Sequence, residues 1–466
     1  MNKIKIKRTI IIAFLIAILI ATPVYSQIGY VISLEQLTQE KVDYIKTILS
    51  MVKGYYIKDL TYDELIDSMF DGLFKNLDKY SAYMKPQEAN EFTQSVNGEI
   101  YGIGVQIEQQ DDNIVVIAVF DNTPAKEAGI KVGDKIIAVN GESLIGKDVN
   151  YAASKIRGLV DTTVTVDVLR DGSTYSFTMI RRKIKIPVVE YKIIDNKIGY
   201  IKLSQFTQNS SVDVKNALNE FDKKNIRKVI FDVRNNPGGY LDEVVKMAEY
   251  FVPEGPIVTI EYRGSKDEYK SKNKFPKYRV AVLANESSAS ASEIFAQAIK
   301  DTGVGVVIGN KTYGKGTVQV TIPVNKPGYM VKLTVAKYKS PKGYYVDGKG
   351  VQPNIVVNDD SLKDYGPDKI LPLSAKNRYK KGDTSLEILA AQQRLYYLGY
   401  TKTLSTTLDT VTFEAIKKFQ KDNKLTVYGG LDISTQKKLI EKFNEFLKAK
   451  YVDKQLNEAI NYLNKN

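Results

Sequence analysis

The spacing of apolar positions changes along the chain, and the changes divide it. Over residues 34–92, stretches such as "LEQLTQEKVDYIKTILSMV" and "TYDELIDSMFDGLFKNL" place apolar residues three and four apart, the step of one helix face. Between 98 and 182 the apolar runs shorten. "YGIGVQIEQ", "NIVVIAVF", "DKIIAVNGESL" and "TVTVDVLRDGSTYSFTMI" predict strands joined by Gly and Asp-Gly turns, with one helix near 148–156. From 198 to 357, nearly continuous runs such as "IGYIKL", "RKVIFDVR", "YRVAVLANE" and "GVGVVIG" alternate with helical stretches. That is the pattern of strands covered on both faces in an α/β domain. A polar stretch with prolines then predicts a linker, and a small helical unit and a polar amphipathic tail follow.

The expected fold class is therefore multidomain α/β. Its parts are a signal peptide or membrane anchor (1–26), a helical N-terminal region (27–96), a small β domain (97–183), an α/β core (184–357), a linker (358–383), an all-α domain (384–447) and a helical tail (448–466). The first part rests on Lys3, Lys5, Lys7 and Arg8 ahead of the apolar run "TIIIAFLIAILIA", with the small residue Ser26 closing "TPVYS". A basic segment, a short apolar segment and a small residue read as a secretory signal. The run falls short of the ~20 residues of a full membrane span, and an uncleaved anchor is the other reading. Either way the chain is expected outside the cytoplasm, anchored at the membrane or secreted to the cell envelope.

Two absences narrow the chemistry. Cys 0 removes disulfides, thiolate nucleophiles and cysteine metal sites. His 0 removes the Ser-His-Asp triad, HExxH zinc helices and any histidine base. Hydrolysis would have to run on carboxylates, lysine, or serine with lysine; no metal and no cofactor is expected. The formal charge of +13 suits polyanions. Without an aromatic-spaced basic platform, cell-envelope polymers or lipid headgroups fit it better than nucleic acid.

Three segments carry candidate chemistry. In "FDVRNNPGGYLDEVV", a buried strand runs into Gly238 and Gly239 and then a helix, a geometry that can aim amides at an oxyanion or simply turn the chain. In "NESSASASEIF", four serines occupy a strand-to-helix junction, where free amides and the positive dipole end gather. There Ser290-x-x-Glu293 also reads as a plain capping box, and physics alone does not choose among Ser287, Ser288, Ser290 and Ser292. In "NKTYGKGTVQV", Lys315 stands between two glycines with Gln319 four residues on; as a base it would need a lowered pKa.

Taken in order, "FDVRNNPGGYL", "ESSASASEIFAQAI", "GNKTYGKGTVQ" and "YKSPKGYYVDGKGVQPNI" resemble the signature segments of the carboxy-terminal processing proteases, the S41 family of Ser-Lys serine peptidases. The resemblance extends upstream through "LDKYSAYM". It implies a crotonase/ClpP-like α/β peptidase core with Ser290 as nucleophile, Lys315 as general base and Gln319 in support. It also implies an oxyanion hole from the amides of Gly238 or Gly239 and of Ala291. "YGIGVQI" and the block after it resemble a PDZ domain, which implies a carboxylate-binding loop at Ile103, Gly104 and Val105. One departure is "LVD" (159–161), where that family has Pro and Gly before the next strand. The segment 384–447 resembles a peptidoglycan-binding domain through positions that include Gln392, Leu395, Asp409, Thr412, Phe419, Gln420, Asp432 and Thr435.

The resemblance implies an exported serine endopeptidase acting on proteins with free apolar C-termini, with peptidoglycan as a further partner, no nucleic acid and assembly as a homodimer. Two rival readings stand beside it. One is a wall-associated PDZ adaptor with an inactive peptidase core. The other is a penicillin-interacting enzyme, but the three SxxK matches, beginning at Ser50, Ser271 and Ser434, lack the SDN and KTG elements that accompany that motif.

Overall fold

The computed structural model describes residues 37–110, 113–358 and 369–465. The expected signal or anchor, the first ten residues of the helical region and residues 359–368 of the expected linker lie outside them. The described chain forms two compact units, divided between Tyr83 and Met84.

In the first unit, helices Gln39–Tyr55 and Tyr62–Lys75 follow the three-and-four spacing of the sequence. Thr61 and Glu64 close the second helix with a reciprocal capping box (2.7 and 3.2 Å), which satisfies amides that the first turn would leave unpaired. Tyr83 packs on Phe70 and donates its hydroxyl to Asp67 (3.0 Å). Along Gln39–Tyr55, the side chains of Tyr44, Ile48, Met51, Val52 and Tyr55 remain exposed.

The second unit opens with helix Pro86–Asn97. A β domain follows, its strands Val105–Gln110, Asn113–Val119, Lys135–Val139, Thr163–Arg170 and Ser173–Ile180 lying side by side in that order. Alternate residues Val164, Val166 and Val168 point into a core with Ile114, Val116 and Ile136, as the two-residue period requires. Val105–Gln110 lies at the sheet edge and helix Val149–Ile156 packs beside it. At the 159–161 departure, Asp161 adopts positive φ (65°) and its amide bonds the Arg181 carbonyl. The buried Arg181 guanidinium caps the carbonyls of Ile156, Lys155 and Thr163 (2.9–3.0 Å), so the turn closes without the proline.

The α/β core holds the sheet order Val189–Ile194, Ile198–Leu203, Lys228–Asp232, Arg279–Ala284, Gly305–Gly309 and Ile355–Val356. The first pair is antiparallel and the rest run parallel. Helices Ser210–Lys223, Leu241–Glu249 and Ala291–Thr302 cover one face, with Phe221, Phe231, Phe251 and Phe295 at its centre. The other face, lined by Ile198, Ile230, Ala281, Leu283 and Ile308, is covered by the tail helix Lys454–Lys465 through Ala459 and Leu463. A second, antiparallel sheet brings together Gly255–Tyr262, Lys266–Ser271, Thr317–Pro323 and Met330–Lys339.

Between core and tail, helices Leu386–Tyr397, Thr410–Asp422 and Ile433–Lys450 form a separate cluster around Ile388, Leu395, Ile416, Phe419 and Leu439. Leu371, Leu373 and Tyr379, which the sequence places in a linker, pack into it. The polar signature positions here make a repeated brace. Gln392 donates to Thr412 (2.6 Å) under the Asp409 cap, and Gln420 donates to Thr435 (3.0 Å) under the Asp432 cap.

Candidate active site

Strand Lys228–Asp232 ends where its face residues Ile230 and Phe231 are fully buried, and the chain must then turn towards helix Leu241–Glu249. Asn235 takes positive φ (59°), Gly238 takes φ 106° and Gly239 φ 147°. Asn236, wholly buried, organises the turn with its side chain: Nδ2 donates to the Leu203 carbonyl (2.8 Å) and Oδ1 accepts the Gly238 amide (2.9 Å). A Cβ on Gly239 would overlap the Phe206 carbonyl, so close main-chain approach, not turning alone, requires glycine there.

The serine-rich junction follows strand Arg279–Ala284. Asn285 and Asn235 exchange hydrogen bonds (both 2.9 Å), the Asn235 amide and the Asn285 amide group each donating, and so fasten the junction to the glycine turn. The four serines part company here. Ser288 is buried and donates to the Val233 carbonyl (2.8 Å); Ser292 is buried and donates to the Asn236 carbonyl (2.9 Å). Ser287 is exposed, on a turn closed by Asn285. Ser290 is half-buried and held at φ 55°, ψ −114°, a conformation that costs a non-glycine residue about 1–3 kcal/mol. A Cβ on Gly238 would stand 2.8 Å from the Ser290 Cβ and 3.0 Å from the Ala291 nitrogen, which measures how tightly turn and serine meet.

Glu293 also does more than cap. It is 0 % exposed, and its carboxylate accepts Thr312 Oγ1 (2.5 Å) and the Gly314 amide (2.6 Å) on one oxygen and the Lys315 (2.8 Å) and Ser290 (2.9 Å) amides on the other. The Glu293 amide goes to the Ser290 carbonyl (2.8 Å), so the cap does not need the hydroxyl. Burial pushes the Glu293 carboxyl up from its ordinary value, against the pull of those four donors. Tyr338, 1 % exposed, donates to the Lys315 carbonyl (2.8 Å) and lies 3.3 Å from that of Ser290. One carboxylate and one phenol thus bind the main chains of both residues.

Lys315 is half-buried. Burial lowers its ammonium from the ordinary lysine value, the charge of Lys332 lowers it further, and Glu293 opposes both. Gln319 sits at a register shift in strand Thr317–Pro323, with its amide on Thr317 (2.9 Å) and Thr334 (3.2 Å). In the β domain, Ile103 is a core residue whose carbonyl accepts the Ala125 amide (2.8 Å). The Gly104 carbonyl accepts the Phe120 amide (3.0 Å), and Val105 starts the edge strand.

Comparison with known proteins assigns the three blocks. Residues 197–357 match peptidase family S41, residues 102–180 a PDZ domain and residues 384–439 a peptidoglycan binding domain. A CtpA-like serine protease of Staphylococcus epidermidis is 36% identical over 431 residues, 91% of this chain and 85% of that protein. The chain belongs to peptidase family S41. Another CtpA-like serine protease, of Staphylococcus aureus, is 33% identical over 475 residues, spanning 99% of this chain and 94% of its own. Among solved structures, a photosystem II D1 C-terminal processing protease is 24% identical with a TM-score of 0.42, covering 70% of this chain and 95% of its own. The family match and the CtpA-like relatives make this S41 chain a serine-type peptidase of the C-terminal processing class, with matches to a PDZ and a peptidoglycan-binding domain in one polypeptide. Among the described residues no helix is long and apolar enough to cross a membrane, and no cluster of acidic residues could hold a metal.

The sequence missed the roles of Glu293, Tyr338 and Asn236. Glu293 was visible only as the end of a capping box. Tyr338 lies in "VAKYKS", where nothing marks it apart from other strand tyrosines.

Proposed function

We propose that this S41 peptidase works outside the cytoplasm, captures the free C-terminus of a protein on its PDZ domain, and cleaves the chain with Ser290 and Lys315. The substrate tail would add as a strand beside Val105–Gln110, with its carboxylate at the loop Ile103, Gly104 and Val105. The Ser290 oxygen attacks the scissile carbonyl while the neutral Lys315 amine takes the hydroxyl proton. That proton passes to the leaving amine, and the acyl-enzyme is hydrolysed by a water that Lys315 deprotonates in turn. The Gly238 amide already serves Asn236, so we assign the oxyanion to the amides of Gly239 and Ala291. Gln319 would steer the lysine from its bulged strand position.

The observation that carries this reading is the shared carboxylate of Glu293. It fastens the amides of a strained serine and of a lysine with a lowered pKa to one and the same oxygen. Export is supported by the basic-then-apolar N-terminus, and a wall-facing role by the peptidoglycan-binding match and the charge of +13. The same N-terminal segment would serve as the membrane anchor if it is retained. The exposed stripe of Tyr44, Ile48, Met51 and Tyr55 supports assembly as a homodimer. The test uses an unstructured polypeptide ending in apolar residues. Wild type cleaves it, while Ser290→Ala, Lys315→Ala and Lys315→Arg do not, because a guanidinium stays charged near neutral pH. Retained turnover in either lysine variant refutes the dyad. Binding without cleavage by wild type returns the chain to the adaptor reading.

A further inference from the structure

The glycine turn begins one residue after Arg234, and Arg234 is held from two sides. Its guanidinium meets Asp232, the buried last residue of the strand (2.7–3.1 Å), and Tyr200 fixes that carboxylate in turn (2.8 Å). Its outer edge makes a bidentate pair with Asp453 (2.8 and 2.8 Å), the residue that precedes the tail helix. Bidentate pairing fixes the orientation of the guanidinium plane as well as its distance. The Asp453 carboxylate also accepts the Leu456 amide (2.9 Å), so it is seated on the helix it introduces.

That helix is anchored along its length. Gln455 donates to the Val357 carbonyl (2.8 Å), Lys228 donates to the Leu463 carbonyl (2.5 Å), and Ala459 and Leu463 are fully buried on the sheet. A parallel sheet needs cover on both faces, and among the described residues this helix covers the second. Asp453 therefore stands on a fixed base and not on a loose end.

We propose that the tail is an integral part of the peptidase and that Asp453 is a positioning residue: through Arg234 it fixes the turn that presents Gly239 to the reacting carbonyl. The inference rests on the reading of that turn as half of the oxyanion hole. A donor moved by ~1 Å forfeits on the order of a hundredfold in rate, and a lost donor 10²–10³. Asp453 touches no substrate, so its removal acts on turnover and leaves capture alone.

The test is made on the full chain with an apolar-tailed, unstructured substrate. Asp453→Asn keeps the shape and removes the charge; kcat is expected to fall about ten- to a hundredfold with KM within about twofold and Tm within about 3 °C. Asp453→Glu restores the carboxylate and is expected to recover most of the lost turnover. The rate of Ser290 labelling by a fluorophosphonate, which also builds a tetrahedral oxyanion, falls together with kcat in Asp453→Asn. Wild-type kcat in Asp453→Asn, or a loss that only follows a falling Tm, overturns the inference while leaving the peptidase reading intact. No cleavage by wild type would remove the peptidase reading, and the inference with it.

Discussion

Gly238→Ala is the sharpest test of the turn. An added methyl would stand 2.8 Å from the Ser290 Cβ, 2.9 Å from the Ala289 carbonyl oxygen and 3.0 Å from the Ala291 nitrogen. Two carbons prefer about 3.5–4.0 Å, so turn and serine must separate by roughly 0.7 Å or more. All three neighbours belong to the segment that carries the reacting hydroxyl and one oxyanion amide. A shift approaching 1 Å there costs on the order of a hundredfold in kcat. Backbone strain at φ 106° adds about 1–3 kcal/mol of instability. Gly264→Ala separates the two effects: it has a comparable φ of 96° but open space around the new methyl. Both variants are expected to lose stability in thermal unfolding through the shared strain, Gly238→Ala the more because of its clash, and only Gly238→Ala to lose turnover, with KM little changed. Should Gly238→Ala retain kcat within threefold of Gly264→Ala, the contact between turn and serine would not matter to catalysis, and the oxyanion assignment would fail.

Two further outcomes follow from the same geometry. Lys315 must be neutral to accept a proton, and its folded pKa lies below the ordinary 10.5, so kcat/KM rises with pH through that lowered value and levels off above it. Lys332→Gln removes one cause of the lowering and moves the rising limb to higher pH; a profile flat from about pH 5 to 9 contradicts the lysine base. Glu293→Gln places an amide group opposite two N–H donors in a fully buried site, forfeiting two hydrogen bonds at about 1–3 kcal/mol each. Turnover is expected to drop at least a hundredfold with a clear fall in Tm, and a variant as stable and active as wild type would show that the carboxylate positions nothing.

The sequence displayed its strands through β-branched runs and its turns through glycine, and these elements fall where the spacing puts them. The serines show where such reading stops. Four hydroxyls in six positions are equivalent as text; only folding places Ser288 and Ser292 against carbonyls and leaves Ser290 at the glycine turn. Resemblance singled out Ser290 and Lys315, but not Glu293 or Tyr338, whose partners, the Ser290 amide beside Glu293 excepted, lie 19–48 residues away along the chain. The tail was legible as amphipathic, since Leu456, Ala459, Ile460 and Leu463 share one helix face. Its destination was not, because a helical stripe states that something is covered and does not say what.

The route of the chain has a consequence for how the module that matches a peptidoglycan-binding domain is mounted. The polypeptide leaves the catalytic sheet at Val357, builds the three-helix module, and returns to the same sheet at Gln455. The module is thus spliced into the enzyme like a bead on a closed bracelet, and a pull on it loads both edges of one clasp. Trimming the gene from its 3′ side would strip the enzyme's own floor before reaching the module. Excising the module cleanly requires an internal cut that spares Asp453 and the helix Lys454–Lys465.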